Sequence, residues 1–109
     1  MSSEKAYAVF LKIGEEMAAK YSSVSFGKMM SSPALRYKSR VFAFYHNNEM
    51  IFRLGREFSP KIFNLKKCFV LNPFKNKAPM YSWFQVPFVE NKKWKKLAEY
   101  ALKKLMEES

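Results

Sequence analysis

RVFAFYHNNEMIFRLG, residues 40–55, places nine apolar residues around the polar break His46–Glu49. Asn47-Asn48 suits a tight two-residue turn, because Asn accepts positive φ more readily than most residues. With that pair at the turn, Tyr45 stands opposite Met50, Ala43 opposite Phe52 and Val41 opposite Leu54. Strand alternation puts all six on one face, which is wholly apolar and must be core. The other face carries Phe44 beside Ile51, and Phe42 opposite Arg53. Its inner part is apolar too, so the sheet is expected to be covered at least partly on both sides. Most of the aromatics are then structural.

Upstream, SEKAYAVFLKIGEEMAAKY has the spacing of a helix. Ala6, Phe10, Ile13 and Met17 recur every three or four residues with Val9 beside them, forming one stripe. Ser2 or Ser3 can cap its amino end. Gly14 weakens the helix interior by about 1 kcal/mol relative to alanine, so docking of the stripe must hold the helix in place. SSVSFGKMMSSP reads as a loop into a first strand around residues 34–38.

Downstream, Ser59 is placed to cap and Pro60 to open a short helix of about two turns. CFVLNP reads as a strand ended by Asn72-Pro73, and FKNKAPM as a basic loop. YSWFQVPF reads as a strand in which Trp83, Gln85 and Pro87 alternate with Phe84 and Val86, with Pro87 at its edge or end. In NKKWKKLAEYALKKLMEES, Asn91 can cap a helix whose Trp94, Leu97, Ala98, Ala101 and Leu105 share one face. Lys92 and Lys93 sit unfavourably at the positive end of its dipole. The predicted order is helix, three strands, short helix, two strands, helix: one α+β domain over residues 1–109 with a mostly antiparallel sheet.

At 109 residues the chain can bury a core of its own. No run reaches the length of a membrane span, and the amino terminus lacks the apolar stretch of a signal peptide. The single cysteine, Cys68, fits a reducing cytoplasmic compartment. Twenty Lys and Arg stand against nine Glu and no Asp, a formal net charge of +11. Acids are absent from residues 17–48 and from 58–89, each of which carries five basic residues. Such a field attracts polyanions.

Several stretches resemble the amino-terminal domain of the TfoX/Sxy family, known for a regulator of natural competence. Phe26-Gly27 matches the family's opening Phe-Gly. ALRYKSRVFAFYHNNEMIFRL, residues 34–54, matches its strand–turn–strand core with Phe42-Ala43 on the family's Phe-Ala. WFQVP and AEYALKK, residues 98–104, match the end of the domain. The resemblance implies a secretion-chaperone-like α+β arrangement, also similar to YjbR-type domains, and a regulatory or binding role with no catalytic residue to transfer. Lys28 replaces the family's second glycine and Lys38-Ser39 its Asp-Gly turn, so a longer or differently shaped first turn is expected. The longer family regulators carry a further carboxyl-terminal domain that does not appear in this sequence.

No motif for catalysis stands out. His46 has only Glu49 nearby and reads as an exposed turn residue. Cys68 follows two lysines, which favour a thiolate, but the strand pattern makes it a small buried hydrophobe. One Cys and one His cannot furnish a zinc site, and no cofactor is expected. Two binding roles compete. In one, nucleic acid is held with weak sequence preference by Arg36, Lys38 and Arg40, the loop lysines Lys75 and Lys77, and Lys92, Lys93 and Lys96 of the last helix, with Tyr37, Tyr81 or Trp83 stacking on bases. In the other, Phe42, Phe44 and Ile51 form an interface to a protein partner or a homodimer. The leading expectation is a non-catalytic regulatory domain that associates with nucleic acid.

Overall fold

The computed structural model describes residues 2–29, 31–71 and 80–108; the side chains of residues 2–4, 80 and 81 lie outside that description. Helix α1, Ser2–Lys20, is followed by four strands: β1 Val24–Met29, β2 Ser32–Tyr37, β3 Arg40–His46 and β4 Glu49–Arg53. A 3-10 turn, Pro60–Phe63, leads to β5 Phe69–Leu71 and β6 Met80–Pro87. A second 3-10 stretch, Phe88–Lys93, runs into α2, Trp94–Glu108. All strand pairs are antiparallel in one six-stranded sheet, in the order β1-β2-β3-β4-β6-β5. The fold is α+β, as the sequence pattern predicts.

The β3–β4 hairpin has the expected register. Tyr45 pairs with Met50 and Ala43 with Phe52. Asn47 and Asn48 both take positive φ, 50° and 65°, as a type I′ turn demands. Phe44 pairs with Ile51 on the second face. One part of the reading is overturned. Between β2 and β3 the pairing slips: Leu35 meets Ala43, but Arg36 meets Val41, leaving Phe42 as an extra residue. This bulge resets the alternation. Phe42 is buried in the main core instead of lying opposite Arg53, and Val41 packs with Phe44 and Ile51 on the other face.

The first loop is also corrected. Residues 24–29 pair along their whole length with β2 and form a strand that sequence periodicity did not signal. Ser25 and Gly27 dilute its apolar pattern; only the pairing partner reveals it. The short helix is a single 3-10 turn. Ser59 Oγ accepts from the Lys61 amide at 3.4 Å, Pro60 opens the turn, and Asn64 ends it at φ 54°. Asn91 is not the cap of α2: it lies inside the second 3-10 stretch, and its side-chain amide donates to the Phe88 carbonyl at 2.8 Å. Capping by Ser2 or Ser3 falls outside the described side chains.

Both helices lie on one face of the sheet. Ala6, Phe10, Ile13 and Met17 of α1, and Trp94, Leu97, Ala98, Ala101, Leu102 and Leu105 of α2, are buried against Leu35, Phe42, Met50, Phe52 and Val86. The Trp94 indole, wholly buried, donates to the Val86 carbonyl at 3.2 Å, so its polar edge is satisfied. Gly14 marks the closest approach of α1 to the sheet: a Cβ there would lie 2.5 Å from the Phe26 ring and 2.8 Å from Leu35. Its cost in helix propensity is thus offset by intimate docking. Two ion pairs join the helices, Lys20–Glu99 at 3.4 Å and Glu16–Lys95 at 3.0 Å. The second face carries a smaller cluster of Ala34, Phe44 and Ile51, with Met29, Val41, Leu71 and Trp83 packed around it.

Candidate nucleic-acid interface

The polar face of α2 and the segment from Ser59 to Cys68 form one basic surface. Lys96, Glu99 and Lys103 share a stripe of α2, because spacings of three, four and seven return to the same side of a helix. Phe58 and Phe63 dock on Tyr100 of the same helix, at ring separations of 5.3 and 5.8 Å, and so hold the segment against it. Phe63, Lys96, Glu99, Tyr100 and Lys103 line a shallow groove of about 230 Å3. A second groove of about 250 Å3, lined by Tyr100, Lys103, Lys104 and Glu107, lies on the other side of the tyrosine. Lys61, Lys66, Lys67, Lys92, Lys96 and Lys103 are exposed.

The segment is tied down from below by charge. One carboxylate oxygen of Glu90 accepts from the amides of Lys66 and, at 2.9 Å, Lys67. Those two hydrogen bonds, with nearby Lys93 and Lys66, hold the Glu90 carboxyl below its ordinary range despite some desolvation. Lys93 donates from Nζ to the Asn64 carbonyl and lies 3.9 Å from Glu90. The unfavourable place of Lys93 near the start of α2 therefore has a structural compensation. Lys92 has no such partner among the described residues.

The predicted nucleic-acid residues do not all meet. Lys92, Lys93 and Lys96 belong to the surface just described. Arg36, Lys38 and Arg40 are exposed on β2, the β2–β3 turn and β3. Arg40 lies 3.7 Å from Glu108, and Arg53 3.0 Å from it, at the far end of α2. Arg40 and Arg53 are thus held at the carboxyl end of α2, whereas Lys96 lies near its start, roughly 18 Å away at about 1.5 Å of rise per residue, with Lys103 between them. Lys75 and Lys77 lie outside the described residues, as does the side chain of Tyr81. Lys61, Lys66, Lys67 and Lys103 were missed as site residues. The Lys66-Lys67 doublet was visible in the sequence, but only the docking of Phe63 brings it to α2.

The remaining stacking and interface residues have other surroundings. Tyr37 packs against the main core, and Trp83 stands 5.6 Å from Phe44 on the second face. Phe44 and Ile51 are only 8% and 3% exposed, and Phe42, on the opposite face, is fully buried. The three therefore do not form a common surface: the bulge removes Phe42, and Trp83, Val41 and Leu71 surround the other two.

His46 lies exposed between Ser32 Oγ, 3.3 Å from Nδ1, and the Asn47 amide, 3.1 Å from Nε2. If Asn47 donates, Nε2 accepts and Nδ1–H points to Ser32. Neighbouring Glu49 is partly desolvated, which raises its carboxyl from the ordinary range, although His46 opposes the shift. The Cys68 thiol is half-buried against the main core, and burial pushes its pKa up to about 11, with Glu90 adding to the shift. At neutral pH this sulfur is a thiol, not the reactive thiolate that Lys66 and Lys67 could favour. Among the described residues no group of three His, Cys, Asp or Glu side chains could hold a metal ion. No helix among them is long and apolar enough to cross a membrane.

Comparison with family models, with curated proteins and with solved structures gave no match.

Proposed function

We propose that this protein is a non-catalytic, cytoplasmic regulatory domain that associates with nucleic acid through α2 and the Ser59–Cys68 segment, a role in keeping with its resemblance to the TfoX amino-terminal domain. The observation that carries this reading is the Phe63–Tyr100 contact, which joins the segment bearing the exposed Lys61, Lys66 and Lys67 to Lys96 and Lys103 on α2. Exposed lysine ammonium groups suit phosphate contacts, which position a nucleic acid without reading its bases. Tyr100 is half-buried between two shallow grooves, and so offers an aromatic edge to a base. Lysines outnumber the acids on this surface: Glu90 is engaged by the Lys66 and Lys67 amides, Glu99 pairs with Lys20 of α1, and Glu107 stands beside Lys103 and Lys104.

Fluorescence anisotropy with labelled duplex and single-stranded oligonucleotides, at about 50 and about 200 mM salt, tests the reading. Wild-type binding should fall by about 10³- to 10⁵-fold over that range if 6 to 10 phosphates are contacted. The Lys96→Glu/Lys103→Glu variant should bind all sequences more weakly and show a shallower salt slope. Equal affinity in that variant would remove α2 from the site.

A further inference from the structure

Strand β1 lies at one end of the sheet, with β2 on one side and no strand beyond it among the described residues. Its register fixes which backbone groups face outward. Ser23 accepts from the Lys38 amide at 2.8 Å. The hydrogen-bonded pairs with β2 must then fall at Ser25, Gly27 and Met29. The peptide groups of Phe26 and Lys28 therefore point away from the sheet. Pro33, which has no amide hydrogen to give, stands opposite Lys28, as that assignment requires. The opposite edge, β5, has only three residues; β1 has six, with no proline and a single charged side chain. Long, uncovered edges are templates for strand addition.

The two faces of this edge differ. Beside α1 it borders an apolar groove of about 350 Å3, lined by Tyr7, Phe10, Leu11 and Phe26, with Glu15 and Lys28 also on its wall. Tyr7 and Phe26 are 39% and 40% exposed there, whereas Phe10, in ring contact with both, is fully buried. On the second face β1 presents Ser25, Gly27 and, at its end, Met29, which packs on the smaller cluster. Arg36 uses that space: its side chain crosses from β2 and its Nε donates to Ser25 Oγ at 3.1 Å. A Cβ on Gly27 would lie 3.0 Å from Arg36 Cδ. Glycine at that position thus leaves the arginine room to reach the sheet edge.

We infer that β1 receives an extended peptide as a seventh strand, one that alternates apolar side chains with acidic ones. The apolar residues enter the groove beside Phe26 and Tyr7; the acidic residues lie on the second face, within reach of Arg36. Main-chain pairing to Phe26 and Lys28 supplies affinity, and the alternate side chains supply selectivity. Charge chooses the occupant. A second copy of this chain would bring another +11 to the same edge, whereas an acidic strand is drawn to it.

The test uses labelled decapeptides that alternate Val with Glu, Val with Ser or Val with Lys, with amide hydrogen exchange followed by NMR on the whole chain. The Glu series should bind at least tenfold more tightly than the Lys series, and should slow exchange of the Phe26 and Lys28 amides at least tenfold. Arg36→Gln should weaken the Glu series several-fold and leave the Ser series unchanged. Lys28→Pro removes an outward amide without breaking the β1–β2 ladder, and should abolish binding of all three. If that variant fails to fold, Phe26→Ser, at a part-exposed position, is expected to reduce binding of the Glu series at least tenfold. Equal binding of the three series would overturn the proposal, as would protection confined to the α2 lysines. Protection of β1 by concentration-dependent dimerisation without peptide would overturn it in favour of a second copy.

Discussion

The two hairpins that share β3 differ in how the chain solves the same problem. Both connect antiparallel strands through two residues. At Asn47-Asn48 both turn residues take positive φ and the strands leave in simple register. At Lys38-Ser39, Lys38 alone takes a left-handed value, φ 57°, and the register slips at Phe42 a few residues later. Asparagine pays little for that conformation, whereas an ordinary side chain there costs roughly 1–2 kcal/mol. The lesson is that a turn with the right residues preserves the alternation read from sequence. A turn without them is followed here by a bulge that moves a large aromatic from one face to the other.

Mutations can sharpen that contrast. The largest effect is expected for Phe42→Ala, a loss of about 3–5 kcal/mol in urea unfolding, as for other fully buried phenylalanines. Phe44→Ala, on the smaller second-face cluster, should cost at least 1 kcal/mol less. If simple alternation held through β3, the order would reverse. Next comes Asn48→Ala, which forces alanine to φ 65° and removes the acceptor that Tyr45 Oη donates to at 3.2 Å. A loss of about 1–2 kcal/mol is expected by thermal denaturation. Lys38→Gly should act in the opposite direction, stabilising by about 0.5–1 kcal/mol, because glycine accepts that φ without strain.

The smallest effect concerns a connection held by a side chain instead of by turn geometry. Glu90 has a lowered carboxyl pKa in the folded protein. Its contribution is therefore present above the ordinary glutamate pKa and is lost as pH falls through the lowered value. Hydrogen exchange at the Lys66 and Lys67 amides should rise selectively in that acid range. In Glu90→Gln it should be raised already at neutral pH. The Asn47-Asn48 turn, held by backbone conformation, should show no such step.

The legible parts of the fold were those with strong periodicity or a defined cap. The stripes of α1 and α2, the β3–β4 register, the Ser59-Pro60 turn and the end of β6 at Pro87 all fall where the residues place them. Strand β1 was illegible because its apolar pattern is broken by Ser25 and Gly27, and its identity comes from pairing with a neighbouring strand. The same limit governed the basic surface. Sequence shows that Lys92, Lys93 and Lys96 adjoin one another, and that Lys66 and Lys67 do. It cannot show that Phe63 docks on Tyr100 and joins the two sets. Nor did it separate them from Arg40, which α2 holds at its other end through Glu108.

The strand order has a kinetic consequence. Strands β1 to β4 form a meander whose contacts are all local, so they can assemble hairpin by hairpin. Strand β6 pairs with β4 across the whole intervening segment and leaves β5 outside it. Closing that loop must be paid for before its contacts reward it. Phe52, already within the meander, should therefore show a higher φ-value than Phe84 or Val86. The strand that must close this loop, β6, is the one whose Val86 carbonyl accepts from the Trp94 indole. Burial of that tryptophan should thus report the closing step of folding, and give its fluorescence a slower phase than the first formation of the sheet.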